Sequence, residues 1–410
     1  MRTFSTLPLL LALPLAAQSS WATPVNEAAL NSTAADTGIH LAADGRSCVF
    51  VSFRGGNWDI YSATRTGRGA PWSTPVAETV LNDATGTEGD PATSADGLEI
   101  FFSSTRAGTA GGSDLMRATR ATPAAPWSAP AFVTELNSPY ADSAPSLTGD
   151  GLRIYFLSAR LGAPNPPNNA IFTATRPNRQ SPWSTPALVA ELATQDTHRD
   201  VDVALNGNEI LFTRFNAGIS RIEVQIARRA KPADPFGAPA VIGEFATVGT
   251  SLGVYSVSVS RDRTEMLLAA GFASAAGGQE ILSTRFTGLG QDGLVTAAGS
   301  LRLHFRDPAA PSLPCLGALA LGDSPGTPFG TRTIPLNPDA VLFNTIGGVP
   351  GLTTGFAAVL DANGETTAQV GPSLPFLVGI KLYAGFFSMD AGAPLGVRTI
   401  SNSIAFEFLP

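Results

Sequence analysis

The chain has 410 residues, of which 44% are hydrophobic and only 14% are charged, and it contains 42 glycines and 32 prolines. This composition is too apolar for a disordered chain and too rich in turn-forming residues for a helical bundle, so it favours an all-β protein. The net charge of −7 argues against nucleic acid as a partner, because phosphate binding needs a basic surface.

The first 17 residues have the pattern of a secretory signal peptide. Arg2 supplies the positive charge, and residues 7–17 form an apolar stretch that is too short to span a bilayer. No later stretch is apolar over about 18 residues, so we expect a secreted or periplasmic protein that does not span the membrane. Export would permit a disulfide between Cys48 and Cys315, and two buried thiols are the alternative.

A short turn recurs along the chain at intervals of 52 to 56 residues. Asp-Gly and Asn-Gly pairs suit tight hairpins, and each turn is followed by a run that is apolar on both faces. Such a run predicts a strand in a sheet that packs between two neighbouring sheets. The turns are Asp44-Gly45, Asp96-Gly97, Asp150-Gly151, Asn206-Gly207 and the degenerate Asp262-Arg263.

Each unit continues with a third strand, a loop carrying a Pro-Trp-Ser or related motif, and a fourth strand, as in a propeller blade. The fifth unit lacks the last two parts. Their match lies at the other end of the chain, where Trp21 to Val25 is similar to Trp72 to Val76. The sequence therefore predicts a five-bladed β-propeller over residues 18–290, closed by an N-terminal strand.

Within the repeat, residues 90–97 and 103–106 and the following Asp-Leu-Met of residues 114–116 form a pattern seen elsewhere. They resemble the TolB-type, WD-repeat-like propellers of bacterial envelope proteins, over about residues 21–288. The family's arginine after the second strand is assigned to Arg54, Arg106, Arg160 and Arg214, with Gly271 in the fifth unit. The resemblance implies the fold and an envelope location, but no single function, because such propellers serve many roles.

The repeat ends near residue 297, and the remaining residues 297–410 predict a small Ig-like β-sandwich. Its predicted strands include residues 301–305, 341–345, 366–370 and 379–389, separated by turns rich in proline and glycine. The signal peptide (1–17), the propeller (18–290) and this sandwich are the three predicted parts of the chain.

An acidic set recurs shortly before the hairpin turns, where the innermost strands begin. Ring closure would gather these side chains around one mouth of the central channel, where they could bind a basic group, a glycan or a calcium-type cation. Pairing with the repeat's arginines is the structural alternative. Trp58 is an added contact candidate, in a loop on the same face. The set is Asp36, Glu88, Asp90, Asp142, His198 and Asp200.

The leading functional hypothesis is a monomeric, non-enzymatic module that binds a protein or polysaccharide partner through this acidic face, with no required cofactor. The three histidines have no second ligand at metal-binding spacing. The alternative is a propeller glycoside hydrolase or lyase, which would need two unpaired channel carboxylates about 5–10 Å apart. The tryptophans of the Pro-Trp motif are interpreted as packing between blades rather than as sugar platforms.

Overall fold

The computed structural model describes residues 20–161, 169–249, 252–272, 278–292, 300–323, 326–329, 332–372, 377–378, 380–393, 396–401 and 403–408. The predicted signal peptide lies outside these residues. The chain divides into two compact units, one formed by Trp21–Arg285 and the other including Phe286–Pro410. Cys48 and Cys315 are buried free thiols, one in each unit.

The first unit consists of antiparallel sheets in which consecutive strands pair. It begins with two short strands, β1 (Ser20–Trp21) and β2 (Val25–Asn26), which belong to the last sheet. The first sheet is β3 (Asp36–Leu41), β4 (Ser47–Ser52), β5 (Asp59–Thr64) and β6 (Val76–Ala77). The second is β7 (Glu88–Thr93), β8 (Glu99–Ser104), β9 (Asp114–Thr119) and β10 (Ala131–Phe132). The third is β11 (Asp142–Leu147), β12 (Arg153–Ser158), β13 (Ala170–Thr175) and β14 (Ala187–Leu188).

The fourth sheet is β15 (His198–Val203), β16 (Glu209–Asn216), β17 (Arg221–Arg228) and β18 (Ala240–Val241). The fifth contains β19 (Val254–Val259), β20 (Glu265–Gly271) and β21 (Gln279–Asp292), and β1 and β2 pair with β21. In this pairing Val25 lies opposite Ser283 and Asn26 opposite Leu282. Single turns of 3₁₀ helix cover Ala190–Leu192 and Gly243–Phe245.

The hairpin turns lie where the repeat predicts them. Gly45 has φ of +65°, and Arg263 holds φ of +63° in the degenerate fifth turn, a conformation that costs a non-glycine residue strain. The strands after the turns are almost wholly buried, because they pack against the neighbouring sheets. Phe101 of β8, for example, packs with Phe156 of β12, and Phe50 of β4 packs with Leu267 of β20.

The five first strands, β3, β7, β11, β15 and β19, form a closed ring in which each contacts the one before and the one after it. Side chains of one strand accept backbone N–H groups of the next at a constant offset, as when Ser256 accepts from Ile39 (3.3 Å) and Ser258 from Leu41 (2.9 Å). These strands therefore all run in the same direction. The all-β class and the β-propeller fold agree with the sequence prediction.

Because the strand directions agree, the connections of the first unit lie on two opposite faces. We call turn face the one formed by the first-to-second turns and third-to-fourth loops, namely residues 42–46, 94–98, 148–152, 204–208, 260–264, 65–75, 120–130, 176–186 and 229–239. We call loop face the other one, formed by residues 53–58, 105–113, 159–161, 169, 217–220, 272, 278, 27–35, 78–87, 133–141, 189–197, 242–249 and 252–253.

The second unit is also built mainly of antiparallel strands. The end of β21 joins β22 (Leu301–Arg306), β28 (Glu365–Val370) and β26 (Thr353–Thr354) in one sheet. The other sheet contains β23 (Pro314–Ala320), β27 (Ala357–Val359), β29 (Lys381–Met389), β30 (Val397–Ile400) and β31 (Ile404–Glu407), and β24 (Thr327–Phe329) pairs with β25 (Arg332–Ile334).

One predicted strand of this unit is wrong. Residues 341–345 belong to a short helix, α1 (Ala340–Thr345), because Asp339 caps its N-terminus by accepting the Leu342 N–H. Leu342 packs against Leu336, Ala318 and Ala320, so tertiary contacts outweigh the strand preference of Val341 and Phe343.

Candidate functional site

Three of the predicted acidic residues, Asp36, Glu88 and Asp142, begin the first strands of their sheets and are buried. Their exposed fractions are 0%, 3% and 0%, so they present little surface to a ligand. Each forms an ion pair with the arginine that follows the second strand of its own sheet. The N–O distances are 2.7 Å for Arg54–Asp36, 2.9 Å for Arg106–Glu88 and 2.7 Å for Arg160–Asp142.

The same arginines also join neighbouring sheets. Arg54 donates to the backbone carbonyl of Leu30, which follows β2 of the fifth sheet, while its Nε donates to Ser52 at 2.8 Å. Arg106 and Arg160 repeat this arrangement with the carbonyls of Leu81 and Leu136. We call each carboxylate–arginine–carbonyl set a latch. Because charge-assisted bonds occupy these carboxylates, they serve the fold rather than an acidic rim.

The fourth sheet departs from this pattern, and the sequence-based assignment of Arg214 is wrong. Strand pairing sets Arg214 opposite His198, in the place that Ser52 takes opposite Asp36, and Asn216 takes the place of the latch arginine. Arg214 lies 3.5 Å from Asp196 instead. His198 is fully buried, its Nδ1 lies 3.0 Å from the Asn169 carbonyl, and burial lowers its pKa.

The fifth sheet likewise differs from the expected assignment. Pairing of Val254 with Ala270 places Phe272, rather than Gly271, in register with the latch arginines.

Asp90 and Asp200 occupy a different place, in the narrow space between the first strands. Both line a cavity of about 10 Å³, and a second cavity of about 30 Å³ shares the lining residues His40 and Asp202 with it. Cavities of these volumes have room for about one or two water molecules. The predicted acidic set therefore separates into buried latch carboxylates and channel carboxylates, and it does not form one continuous rim.

Burial dominates the electrostatics of the channel. It raises the pKa of Asp90 to about 6 and that of Asp202 to about 6. Burial, and then the nearby charge of Asp90, raise the pKa of Asp200 well above its usual value. His40 shows the opposite shift, since burial disfavours its cation and lowers its pKa to about 4.

The channel side chains also join one sheet to the next, a role that the sequence reasoning missed. Asp200 accepts the Val257 N–H at 2.8 Å, Asp202 accepts the Val259 N–H at 3.0 Å, and Ser146 accepts the Val203 N–H at 2.9 Å. The available signal was the residue four positions before each hairpin turn, which is polar in four of the five units. It reads His40, Ala92, Ser146, Asp202 and Ser258.

Replacing Asp90 with asparagine should raise the free energy of unfolding by about 1–2 kcal/mol at about pH 8 and leave it nearly unchanged at about pH 4. The pKa of Asp90 is raised to about 6, so between about pH 4 and 6 the unfolded chain releases a proton that the folded chain keeps. Stability therefore falls as the pH rises through this window, and asparagine removes that loss. The contribution of His40 to stability has the opposite pH dependence, because its pKa is lowered, and Asp90→Asn does not remove it.

Urea unfolding at both pH values measures the effect of Asp90→Asn. The control is Asp150→Asn, which changes an exposed carboxylate in a hairpin turn. An asparagine at position 90 can still accept the Ala144 N–H that Asp90 accepts. Equal changes at the two pH values would contradict the assigned pKa shift.

The tryptophans of the Pro-Trp motif are covered by arginines of the turn face. The guanidinium carbon of Arg65 lies 4.3 Å from the Trp72 ring centre, Arg120 lies 4.0 Å from Trp127, and Arg176 lies 4.4 Å from Trp183. The three rings are only 5–6% exposed. They therefore act in packing and cation–π contacts rather than as open platforms for sugars.

Trp58 lies on the loop face, half-buried, with its ring centre 5.4 Å from that of Phe53. Phe53 is one of several large apolar side chains that are exposed on this face. Their exposed fractions range from 42% to 55%. The set is Phe53, Val80, Tyr140, Leu161, Ile219 and Leu252.

Other apolar side chains exposed in the described part of the first unit lie on the outermost strands. They are Val25, Val76 and Val241, which belong to β2, β6 and β18. The turn face exposes no large apolar side chain among its described residues. Apolar surface is thus concentrated on the loop face, where Asp83 contributes negative charge, as does Asp59 at the adjoining end of β5.

The described residues contain no group of three or more His, Cys, Asp or Glu side chains arranged to hold a metal ion. Nor do they include a helix with the length and apolar character needed to cross a bilayer.

No protein-family model matches the chain, and no curated protein is similar to it in sequence. Solved structures are similar at low identity. TolB from Acinetobacter baumannii shares 15% identity, with 66% of this chain and 64% of that chain covered and a TM-score of 0.40. The chain thus spans less than two thirds of that protein.

The family 117 glycoside hydrolase Zg3597 from Zobellia galactanivorans shares 10% identity over 66% of this chain and 90% of that chain, with a TM-score of 0.46. An endo-arabinase from Bacteroides thetaiotaomicron VPI-5482 shares 12% identity, with 65% of this chain and 97% of that chain covered and a TM-score of 0.43. These similarities do not place the chain in a named family.

Proposed function

We propose that the chain is a secreted or periplasmic, TolB-like five-bladed propeller that binds a protein or glycan partner through its loop face and performs no catalysis. Five blades are supported by the five first strands in a closed ring and by the pairing of β2 with β21. The second unit, an Ig-like sandwich in this proposal, serves as a spacer or attachment module.

One observation carries this proposal: the large apolar side chains exposed at the ends of the sheets gather on the loop face. Exposed apolar groups with a polar surround are typical of binding surfaces. Phe53 and Trp58 form an aromatic pair, and aromatic residues often dominate the energy of such interfaces. Asp59 and Asp83 beside this pair would favour a partner with basic groups.

The alternative, a glycoside hydrolase or lyase, would rely on Asp90 and Asp200. The cavity beside these carboxylates is about 10 Å³, enough for a water molecule and far smaller than a sugar-binding pocket. Each carboxylate also accepts a backbone N–H of the next sheet. These contacts favour a structural role for the pair, and so they support the binding proposal over the enzymatic one.

A photo-crosslinking amino acid placed on each face tests the proposal. We expect adducts with one discrete partner from positions 53, 140 and 219 of the loop face when the full chain is exposed to envelope and culture fluid of its source. Positions 124 and 233, exposed on the turn face, are the matched controls and should give no adduct with that partner. A glycan partner would appear as retention on a polysaccharide panel that Phe53→Ser and Trp58→Ala abolish.

The results of these experiments distinguish loop-face binding from the alternatives. The same adducts from both faces would contradict a loop-face site. Release of reducing sugar from the panel, abolished by Asp90→Asn or Asp200→Asn, would replace the binding proposal with the enzymatic one.

A further inference from the structure

We propose that the turn face is a second binding surface and that its ligand is an acidic polysaccharide, held by charge alone. The surface is distinct from the loop face, and its ligand class differs from the partner proposed there. The inference stands on the distribution of charge over the two faces, on the side chains that carry it, and on what the turn face lacks.

The net charge of the whole chain conceals two faces of opposite sign. The connections of the turn face contain twice as many basic residues as acidic ones. Three glutamates that begin strands at the same edge offset part of this excess through ion pairs, namely Glu99, Glu209 and Glu265. On the loop face acidic residues outnumber basic ones. The basic residues of the turn face are Arg46, Arg65, Arg68, Arg120, Arg176, Arg179, Arg229, Lys231, Arg261 and Arg263, and its acidic residues are Asp44, Asp96, Asp150, Asp234 and Asp262. The loop face contains three basic residues, Arg54, Arg106 and Arg160. Its acidic residues are Glu27, Glu78, Asp83, Glu135, Glu191, Asp196 and Glu244.

Part of this positive charge is fixed in place. Arg120 donates its Nε–H to the Gly97 carbonyl at 2.6 Å and stacks on Trp127. Arg229 does the same with the Gly207 carbonyl at 2.8 Å and lies 4.1 Å from the Phe236 ring centre. The Nη groups of Arg229 also donate to the Asp234 carbonyl and the Tyr155 hydroxyl, so Arg120 is the better placed of the two to bind a ligand. A guanidinium held as Arg120 is loses little freedom when its Nη groups bind a carboxylate.

Another part of the charge has no internal counterion. The side chains of Arg46 and Lys231 are exposed, and neither forms an ion pair within the described part of the chain. Arg153 begins β12 at the edge of this face, is half-buried, and is likewise without an ion pair there. These three cations lie on three different sheets, so one extended polyanion could contact several of them and gain from multivalency.

The chemistry of the turn face favours a polysaccharide over other polyanions. Single-stranded nucleic acid binds by stacking its bases on open aromatic rings, and the tryptophans here are covered by arginines. Insertion into a bilayer and tight protein binding both need exposed apolar anchors, which the described residues of this face do not provide. A polyuronate needs only guanidinium partners for its repeated carboxylates.

The test uses polygalacturonate as the probe, neutral dextran as the uncharged comparison, and the full chain. We expect polygalacturonate binding at about 20 mM NaCl that weakens at least roughly tenfold at about 300 mM, and no binding of dextran. The triple variant Arg46→Ser, Arg153→Ser, Lys231→Ser should weaken binding by roughly tenfold or more. The matched control, Arg199→Ser, Lys381→Ser, Arg398→Ser, removes three cations elsewhere and should bind like the wild type.

Thermal unfolding of both variants checks that they remain folded. The proposal fails if the wild type does not bind polygalacturonate at low salt, if the triple variant binds it unchanged, or if the control loses as much affinity. Tighter binding of an oligothymidylate or of phosphatidylglycerol vesicles than of polygalacturonate would also overturn it. Because the loop face is unaltered in the triple variant, crosslinking from position 53 should persist, which separates this surface from the proposed function.

Discussion

Glu265→Ala should lower the free energy of unfolding of the first unit by about 3–5 kcal/mol. Glu265 of the fifth sheet pairs with Arg65 of the first sheet at 2.5 Å, and both side chains are only 2% exposed. Arg65 also donates to the Gly45 carbonyl and stacks on Trp72, so it cannot turn to solvent easily. Loss of Glu265 would therefore leave a buried charge without its partner where the last sheet meets the first.

Urea unfolding measures this effect, and two further variants serve as comparisons. The double variant Arg65→Leu, Glu265→Leu removes both charges and should recover about half of the loss or more, because apolar pairs can replace buried ion pairs. Asp390→Ala breaks the Arg398–Asp390 pair, where the side chains are 41% and 28% exposed, and should cost below about 1 kcal/mol. A cost for Glu265→Ala as small as that for Asp390→Ala would contradict the assigned role.

A chain that starts at Ser32 should lose more than about 4 kcal/mol of unfolding free energy. This deletion removes β2 and the side chain of Leu30, which is 0% exposed. It also removes both hydrogen bonds between the Asn31 side chain and the Ile281 backbone, at 2.7 and 2.9 Å. In addition, Arg54 loses the Leu30 carbonyl of its latch.

The deletion would uncover an edge of β21, so we also expect concentration-dependent association, measured by light scattering. A peptide covering residues 20–31, added in trans, should restore both the urea midpoint and the monomer. The single substitution Asn31→Ala is the graded comparison and should cost about 1–3 kcal/mol. An unchanged midpoint in the shortened chain would show that the N-terminal strands contribute little.

Local sequence signals were sufficient for the hairpin turns of the first unit and for the strand that completes its last sheet. The Asp-Gly pairs mark turns because glycine adopts a positive φ easily, and Gly97, Gly151 and Gly207 have φ of +69°, +69° and +71°. The match between Trp21 and Trp72 likewise pointed to β2 as the strand beside β21, and Val25 pairs with Ser283. Both signals depend on chemistry within a few residues, which a single sequence contains.

The sequence predicted less well which way the side chains of the first strands point. Residues six and eight before a turn should share a face of a regular strand, yet Glu88 enters a latch while Asp90 lines the channel. A bulge between them breaks the alternation, since the register shifts between Gly89 and Ala92 and Asp90 has φ of +46°. No residue pattern announced this bulge, so sequence alone assigned both carboxylates to one rim.

Arg214 shows a related limit. Its spacing from the preceding turn differs by two residues from that of the latch arginines, and only pairing with His198 reveals its true position. The helix α1 was missed for another reason, because the contacts of Leu342 that favour it come from residues distant in sequence.

The pairing of Val25 with Ser283 also sets the order of events during synthesis. At about 5–20 residues per second, the partner of the N-terminal strand leaves the ribosome roughly 13–50 seconds after the strand itself. Until then the earlier sheets can collapse on one another, but the strand that completes the last sheet has no partner. The ring is thus closed by the first and last of its own strands to be made, and a nascent chain stalled before that point would keep both of them unpaired.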